Sequence, residues 1–206
     1  MNKKQKGIIE YLGIPGIISM FGLACGWLAV VLLLQNLPFI AIIFSIISFV
    51  FDCLDGYVAR KMHKESEFGR QLDGSFDFFN YLVFSALLFW KYISPNLFGI
   101  IVGFLILATG AFRLIRFNIE GFVVKDNKLY YAGIVVCHIL LTTVMLFLIQ
   151  QFYPQVVSVI AIPVMVIVSF LQVTRIPVKK TGAYGFWLAL AFALLVIFLE
   201  LQIWHK

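Results

Sequence analysis

Residues 38–77 read PFIAIIFSIISFVFDCLDGYVARKMHKESEFGRQLDGSFD. From Pro38 to Phe51 no side chain is charged, and then four of the chain's five aspartates arrive together: Asp52, Asp55, Asp73 and Asp77. The apolar run has the length and composition of a membrane helix, and Asp52 lies about 21 Å along it from Pro38 at 1.5 Å per residue. A carboxylate there approaches the membrane surface from within the bilayer. Insertion costs about 2.5–3.5 kcal/mol for Asp at mid-span and less toward the ends. Four such groups need a polar cavity and a counter-charge.

The rest of the chain has the same character. Of 206 residues, 62% are hydrophobic and 13% charged, against about 25% charged in an average soluble domain. Seven stretches are long enough to cross a bilayer, at roughly 14–35, 38–58, 72–92, 96–117, 130–150, 154–174 and 183–203. None alternates in polarity as barrel strands do. The expectation is an all-α integral membrane protein, a bundle of about seven transmembrane helices forming a single domain over 1–206. Residues 2–11, NKKQKGIIEY, have the pattern of a short amphipathic helix lying on the surface. The segment 118–129, NIEGFVVKDNKL, reads as a short cytoplasmic loop.

Charge fixes the orientation. With the N-terminus inside and seven spans, 14 of the 16 Lys and Arg residues fall on the cytoplasmic side, and only Lys91 and Lys206 outside. The net charge of +6 therefore reflects membrane topology, not nucleic-acid binding. Every polar cluster lands on the cytoplasmic face. Cys25, Cys53 and Cys137 form no CxxC pair, so neither a disulfide framework nor a thiolate metal site is expected.

The aspartates converge by spacing. Asp52 and Asp55 are i, i+3, about 60° apart around a helix; Asp73 and Asp77 are i, i+4, about 40° apart. The short basic stretch 60–70 joins their helices as antiparallel neighbours. Facing pairs place four carboxylates around one point, where protons or cations must compensate. Oxygen-only ligands suit Mg²⁺, Mn²⁺ or Ca²⁺ rather than zinc. Two divalent ions would nearly cancel the charge, an arrangement suited to phosphoryl transfer. Gly56, Ala59 and Gly69 keep side chains away from the carboxylates, and Arg60 is placed to reach a phosphate. The alternative is a buried acid relay in a small ion- or proton-coupled transporter, or aspartates paired only with Arg60 and Arg70.

The full pattern D-x2-D-G-x2-A-R-x8-G-x3-D-x3-D is met by Asp52, Asp55, Gly56, Ala59, Arg60, Gly69, Asp73 and Asp77. It resembles the signature of the CDP-alcohol phosphotransferases, integral membrane enzymes. The resemblance implies transfer of a phosphatidyl-type group from a CDP-lipid to an alcohol, with release of CMP. It implies two divalent ions, Mg²⁺ or Mn²⁺, on the four aspartates, with Asp77 as base. It implies that Gly56, Ala59 and Gly69, with Arg60, line the nucleotide site, and that the enzyme is a homodimer.

Within that family, TGAFRLIRFNIEG at 109–121, KLYYAGI at 128–134 and SFLQVTRIPVKK at 169–180 resemble segments of phosphatidylserine synthases. L-Serine is thus the favoured acceptor. Glycerol phosphate, inositol phosphate or an amino alcohol are the alternatives. The chain departs from that pattern at Gly16 and Ser19, where Asn and Thr are usual, at Asn80, where Ser is usual, and at GIVVC, 133–137. Arg113 and Arg116, i, i+3 near a cytoplasmic helix end, are candidates to bind the acceptor or the donor phosphates, bidentately as arginine does. Their bland reading is a positive anchor at the interface. His138 reads as a hydrogen-bond partner for a neighbouring helix, and the four tryptophans read as packing or interface belt.

Overall fold

The computed structural model describes residues 8–63, 66–125, 128–179 and 196. The fold is mostly helical. Helix α1 runs Ile8–Leu34, α2 Pro38–Lys61, α3 67–93, α4 Leu97–Glu120, α5 Cys137–Gln150 and α6 Pro154–Val173. The expected seventh span at 183–203 and most of the expected surface helix at 2–11 lie outside the described residues. Among the described residues four helical segments are long and apolar enough to cross a membrane: Gly13–Leu34, Pro38–Lys61, Leu97–Glu120 and Pro154–Val173.

Local sequence explains the breaks. Gly13 takes φ 55°, ψ −171° and kinks α1, a left-handed backbone that a Cβ would oppose. Proline opens α2 and α6 at Pro38 and Pro154, where the missing N–H costs nothing. Ser66 caps α3 by accepting from the Gly69 N–H at 3.0 Å, and Asn96 caps α4 by accepting from Gly99 at 3.1 Å. The C-terminal carbonyls of α1 are capped from α3. Lys91 Nζ donates to Leu33 O at 3.0 Å and Leu34 O at 2.8 Å, and the Tyr92 hydroxyl donates to Leu33 O at 3.0 Å.

Helix α3 is not uniform. It is α-helical over Glu67–Asp77 and Phe84–Leu88, and π-helical over Phe78–Val83 and Phe89–Ile93. The first wide turn follows directly on Asp77, and π segments concentrate at functional sites.

Two expectations need correction. The fifth span, expected over 130–150, is helical only over Cys137–Gln150, about 21 Å long. Gly133 at φ 80° turns the chain before it, and a Cβ there would lie 2.5 Å from Gln172 O. The fold is also not purely α. Strands β1 (Val123–Lys125), β2 (Lys128–Ala132) and β3 (Pro177–Lys179) form an antiparallel sheet in the order β1-β2-β3. Val124 pairs with Leu129, and Tyr131 with Val178. The segment 118–129 had been expected as loop. Its valines and the following tyrosines are strand formers, and Asp126-Asn127 between them are turn-forming types.

Packing divides inside from outside. α1 lies along α2, and α4 and α5 both pack on α6. The core is apolar: Leu33, Ile42, Ile46, Leu82, Leu88, Phe89, Ile106, Leu140, Val144 and Met165 are all fully buried. Large apolar residues such as Phe104, Ile119 and Val159 point outward. In water such a surface would be a liability, and against lipid it is what a spanning helix requires.

Candidate active site

The carboxylates meet where α2 and α3 leave the apolar core. α2 ends in the basic pair Arg60 and Lys61, which suits its C-terminal dipole. Four residues beyond Met62, Ser66 starts α3, so the chain reverses and returns its acidic stripe to that of α2. Asp52, Asp55 and Asp73 offer oxygens that all lie within 4.8 Å of one another. Asp77 is buried and lies within electrostatic reach of Asp52, Asp73 and Asp55, completing the group.

This arrangement fits a divalent cation. Metal–oxygen bonds of about 2.0–2.6 Å put the ligand oxygens of one ion up to about 5 Å apart. A set made only of carboxylate oxygens selects hard cations. The structure therefore shows an acidic cluster able to hold metal.

Two hydroxyls orient the carboxylates. Ser19 on α1 donates to Asp55 Oδ2 and also lies 3.1 Å from Pro15 O. Tyr81, in the π-helical turn of α3, donates to Asp52 Oδ2 at 2.5 Å. Its ring is 2% exposed and sits edge-on to Phe49 at 6.0 Å. Sequence reasoning noted Ser19 only as a departure and missed Tyr81. Its signal was present, since Tyr81 is i+4 from Asp77 and i+8 from Asp73, on the same stripe.

The small residues are where the motif put them. A Cβ on Gly56 would lie 3.3 Å from the Arg60 guanidinium, which folds back over that glycine. Arg60 is solvent-exposed and within electrostatic reach of Asp55 and Asp73. Ala59 is on the same helix, partly exposed. Gly69 has a second task, because its N–H serves the Ser66 cap. Asn118 of α4 donates to Gln71 of α3 at 3.4 Å, against Gly74.

The two arginines part company. Arg113 is 3% exposed, and its guanidinium stacks over Phe117 at 5.2 Å and Tyr131 at 5.6 Å. It lies within electrostatic reach of Asp77 and Asp73. Phe117, Phe122 and Tyr131 form a mutual cluster with centroids 5.0–5.7 Å apart. Burial pushes the Tyr131 phenol above its ordinary value, so the ring faces Arg113 uncharged.

Arg116 is directed elsewhere. It donates to Val173 O at 2.8 Å, Ala132 O at 2.6 Å, Gln172 O at 3.0 Å and Thr174 O at 3.0 Å. Through its two terminal nitrogens Arg116 fastens β2 and the end of α6 to α4. His138 also differs from expectation. It is exposed, and its Nδ1 lies 3.0 Å from Val135 O at its own helix start, not against a neighbouring helix. The three cysteines are free.

Comparison with known proteins agrees with this geometry. The chain is 28% identical over 193 residues to the archaetidylserine synthase of Methanothermobacter thermautotrophicus, covering 90% of this chain and 76% of that protein. It is 34% identical over 119 residues to the CDP-diacylglycerol–serine O-phosphatidyltransferase of Methanocaldococcus jannaschii, covering 56% of this chain and 55% of that one. It is 33% identical over 110 residues to the enzyme of the same name from Bacillus subtilis, covering 52% and 62%. The family model for CDP-alcohol phosphatidyltransferase matches residues 12–171, which contain all four aspartates and both arginines. A transporter reading of the acid cluster gives way on this match, and the chain belongs to the CDP-alcohol phosphatidyltransferase family.

Proposed function

We propose that the protein transfers a phosphatidyl-type group from a CDP-lipid such as CDP-diacylglycerol to the hydroxyl of L-serine, releasing CMP. The observation that carries this reading is the meeting of Asp52, Asp55, Asp73 and Asp77 beside a buried arginine, in a chain similar to serine-specific synthases. One domain over 1–206, with seven spans and the N-terminus inside, puts this site at the cytoplasmic face of the cell membrane. There the lipid chains of the donor remain in the bilayer. The family resemblance further suggests a homodimer.

The residues divide the work. Asp52, Asp55, Asp73 and Asp77 hold two divalent cations, Mg²⁺ or Mn²⁺. When bound, these supply charge neutralisation for the pyrophosphate and for departing CMP. Gly56, Ala59 and Gly69 leave room for the nucleotide backbone, and Arg60 swings from Gly56 toward its phosphate. Asp77 takes the proton of the acceptor hydroxyl. The freed oxygen bonds to the lipid-side phosphorus as the bond to CMP breaks. Arg113 holds the acceptor by its acidic group. Arg116 positions the sheet that covers Arg113.

An acceptor screen with CDP-diacylglycerol, scored by CMP release, tests this. Serine should give turnover well above glycerol phosphate, inositol phosphate and ethanolamine. Turnover with one of these and none with serine would replace the acceptor; CMP release from none of them would remove the activity.

A further inference from the structure

The three short strands form an amphipathic sheet. Side chains alternate across a strand, so the register sorts them onto two faces. Val124 pairs with Leu129 and Tyr131 with Val178, which puts these four on one face. Lys125 pairs with Lys128 and Tyr130 with Lys179, which puts three lysines on the other. Asp126 is the only acidic residue in the strands and the connection between β1 and β2. Edge lysines alone serve to discourage strand addition. Three on one face, opposite a face of apolar and aromatic residues, are the pattern of an element lying in a membrane interface.

The apolar face is covered at one end only. There Tyr131 lies against Phe117 of α4 at 5.7 Å, with the Arg113 guanidinium over its ring at 5.6 Å. At the other end Val124 and Leu129 are 67% and 42% exposed. The outward stripe of α4 leads toward them. Phe112, Ile115 and Ile119 stand at i, i+3 and i+7 and are all exposed, and Gly121 then turns the chain into β1. That stripe belongs to a helix long and apolar enough to cross a membrane, and lipid is what covers it. The open end of the sheet continues that surface.

We propose that this sheet docks on the lipid surface beside the acidic cluster, its apolar face on acyl chains and its lysines among anionic phospholipid headgroups. Apolar burial alone would hold the sheet to any bilayer, whereas three lysines at headgroup level make the attraction depend on lipid charge. Tyr130, on the lysine face, suits that depth as interfacial aromatics do. Docking has a consequence for the site. The same sheet carries Tyr131 onto Arg113, which lies within electrostatic reach of Asp77 and Asp73. Anionic lipid therefore steadies the sheet over Arg113, and turnover rises with the anionic fraction of the membrane. This last step rests on the transferase reading above; the docking does not.

The test uses the full-length protein in nanodiscs of phosphatidylcholine alone, or with about one-third phosphatidylglycerol. Hydrogen exchange of the peptide spanning 122–132 is the direct readout. A surface that binds only the docked sheet suppresses its opening by mass action. Exchange should be about tenfold slower with phosphatidylglycerol, and high salt should remove the difference by screening. The variant K125Q/K128Q/K179Q should exchange equally in both discs and melt in detergent as the unaltered protein does. With CDP-diacylglycerol at one fixed surface fraction, CMP release should rise several-fold from the first disc to the second, and not in the variant. Equal exchange of the unaltered protein in the two discs overturns the proposal, as does a charge dependence that survives in the variant. If the variant melts early, the salt response of the unaltered protein decides, and a difference that persists in high salt overturns it. Protection that grows with protein concentration in detergent gives the apolar face to a second copy and overturns it as well. Slower exchange without faster turnover overturns the coupling to the site. Slower exchange with no CMP release in either disc supports the docking and removes the transferase reading.

Discussion

The hydroxyl of Tyr81 on α3 and the carboxylate of Asp52 on α2 are joined at 2.5 Å across the seam between the two helices that carry the acidic cluster. Tyr81→Phe keeps the ring against Phe49 and deletes only this bond. A hydrogen bond to a charged group contributes about 1.5–3 kcal/mol, and 1.4 kcal/mol is tenfold. CMP release should fall about tenfold, and the Mn²⁺ concentration for half-activation should rise. Unaltered metal dependence together with an unaltered rate would remove Tyr81 from the site.

Each of Asp52→Asn, Asp55→Asn, Asp73→Asn and Asp77→Asn should lower CMP release by about a hundredfold or more, since each deletes a charge that the reaction uses directly. The variants should remain folded, because neutralising one member of a like-charged group relieves repulsion. A variant that turns over at the unaltered rate has been given the wrong role here.

Chelation separates the site from the rest of the bundle. EDTA should abolish CMP release, and Mg²⁺ or Mn²⁺ should restore it. Ligands that bind only the folded state stabilise it by mass action, so the chelated enzyme should also melt at a lower temperature. A melting curve insensitive to both chelator and Mn²⁺ would argue against metal at the aspartates.

Arg116→Ala should act on stability before activity. It strips the partner from carbonyls of Ala132, Gln172, Val173 and Thr174 together. With about 1–3 kcal/mol for a buried group left unsatisfied, and water replacing some of the lost bonds, a loss of about 2–4 kcal/mol is expected. Lysine cannot span the same acceptors, so Arg116→Lys should be destabilised too. Thermal melts in detergent read both. Normal melting with a raised serine KM would return Arg116 to the acceptor-binding role.

Ser19→Ala should reduce turnover several-fold through loss of the donor to Asp55, and Ser19→Thr should restore it. Equal loss in both variants would point to packing against α1, not to the hydroxyl.

Much of the site was legible because it depends on spacing along helices. Asp52 with Asp55, and Asp73 with Asp77, face one another because 3.6-residue periodicity and a short connection leave few other arrangements. Apolar runs likewise announced the spanning helices. What escaped the sequence depends on contacts between distant segments. Arg116 and Arg113 differ by one turn of α4 and look equivalent in the chain, and only the return of β2 and the end of α6 divides them. The sheet was missed because its strands are three to five residues long and β3 comes from the far side of α5 and α6. The π-helical turn at Phe78–Val83 leaves no periodic mark in so short a stretch.

The junction of α1 with α3 constrains how this sequence can drift. A Cβ on Gly26 would fall 1.9 Å from Asn80 Oδ1 and 3.3 Å from Ser48 Oγ, and Asn80 is 4% exposed with no room to withdraw. Glycine at 26 and asparagine at 80 are thus a matched pair whose members must co-vary. A shorter side chain at position 80 would leave space for alanine at 26. Asparagine at 80 with alanine at 26 would force the two helices apart at this junction.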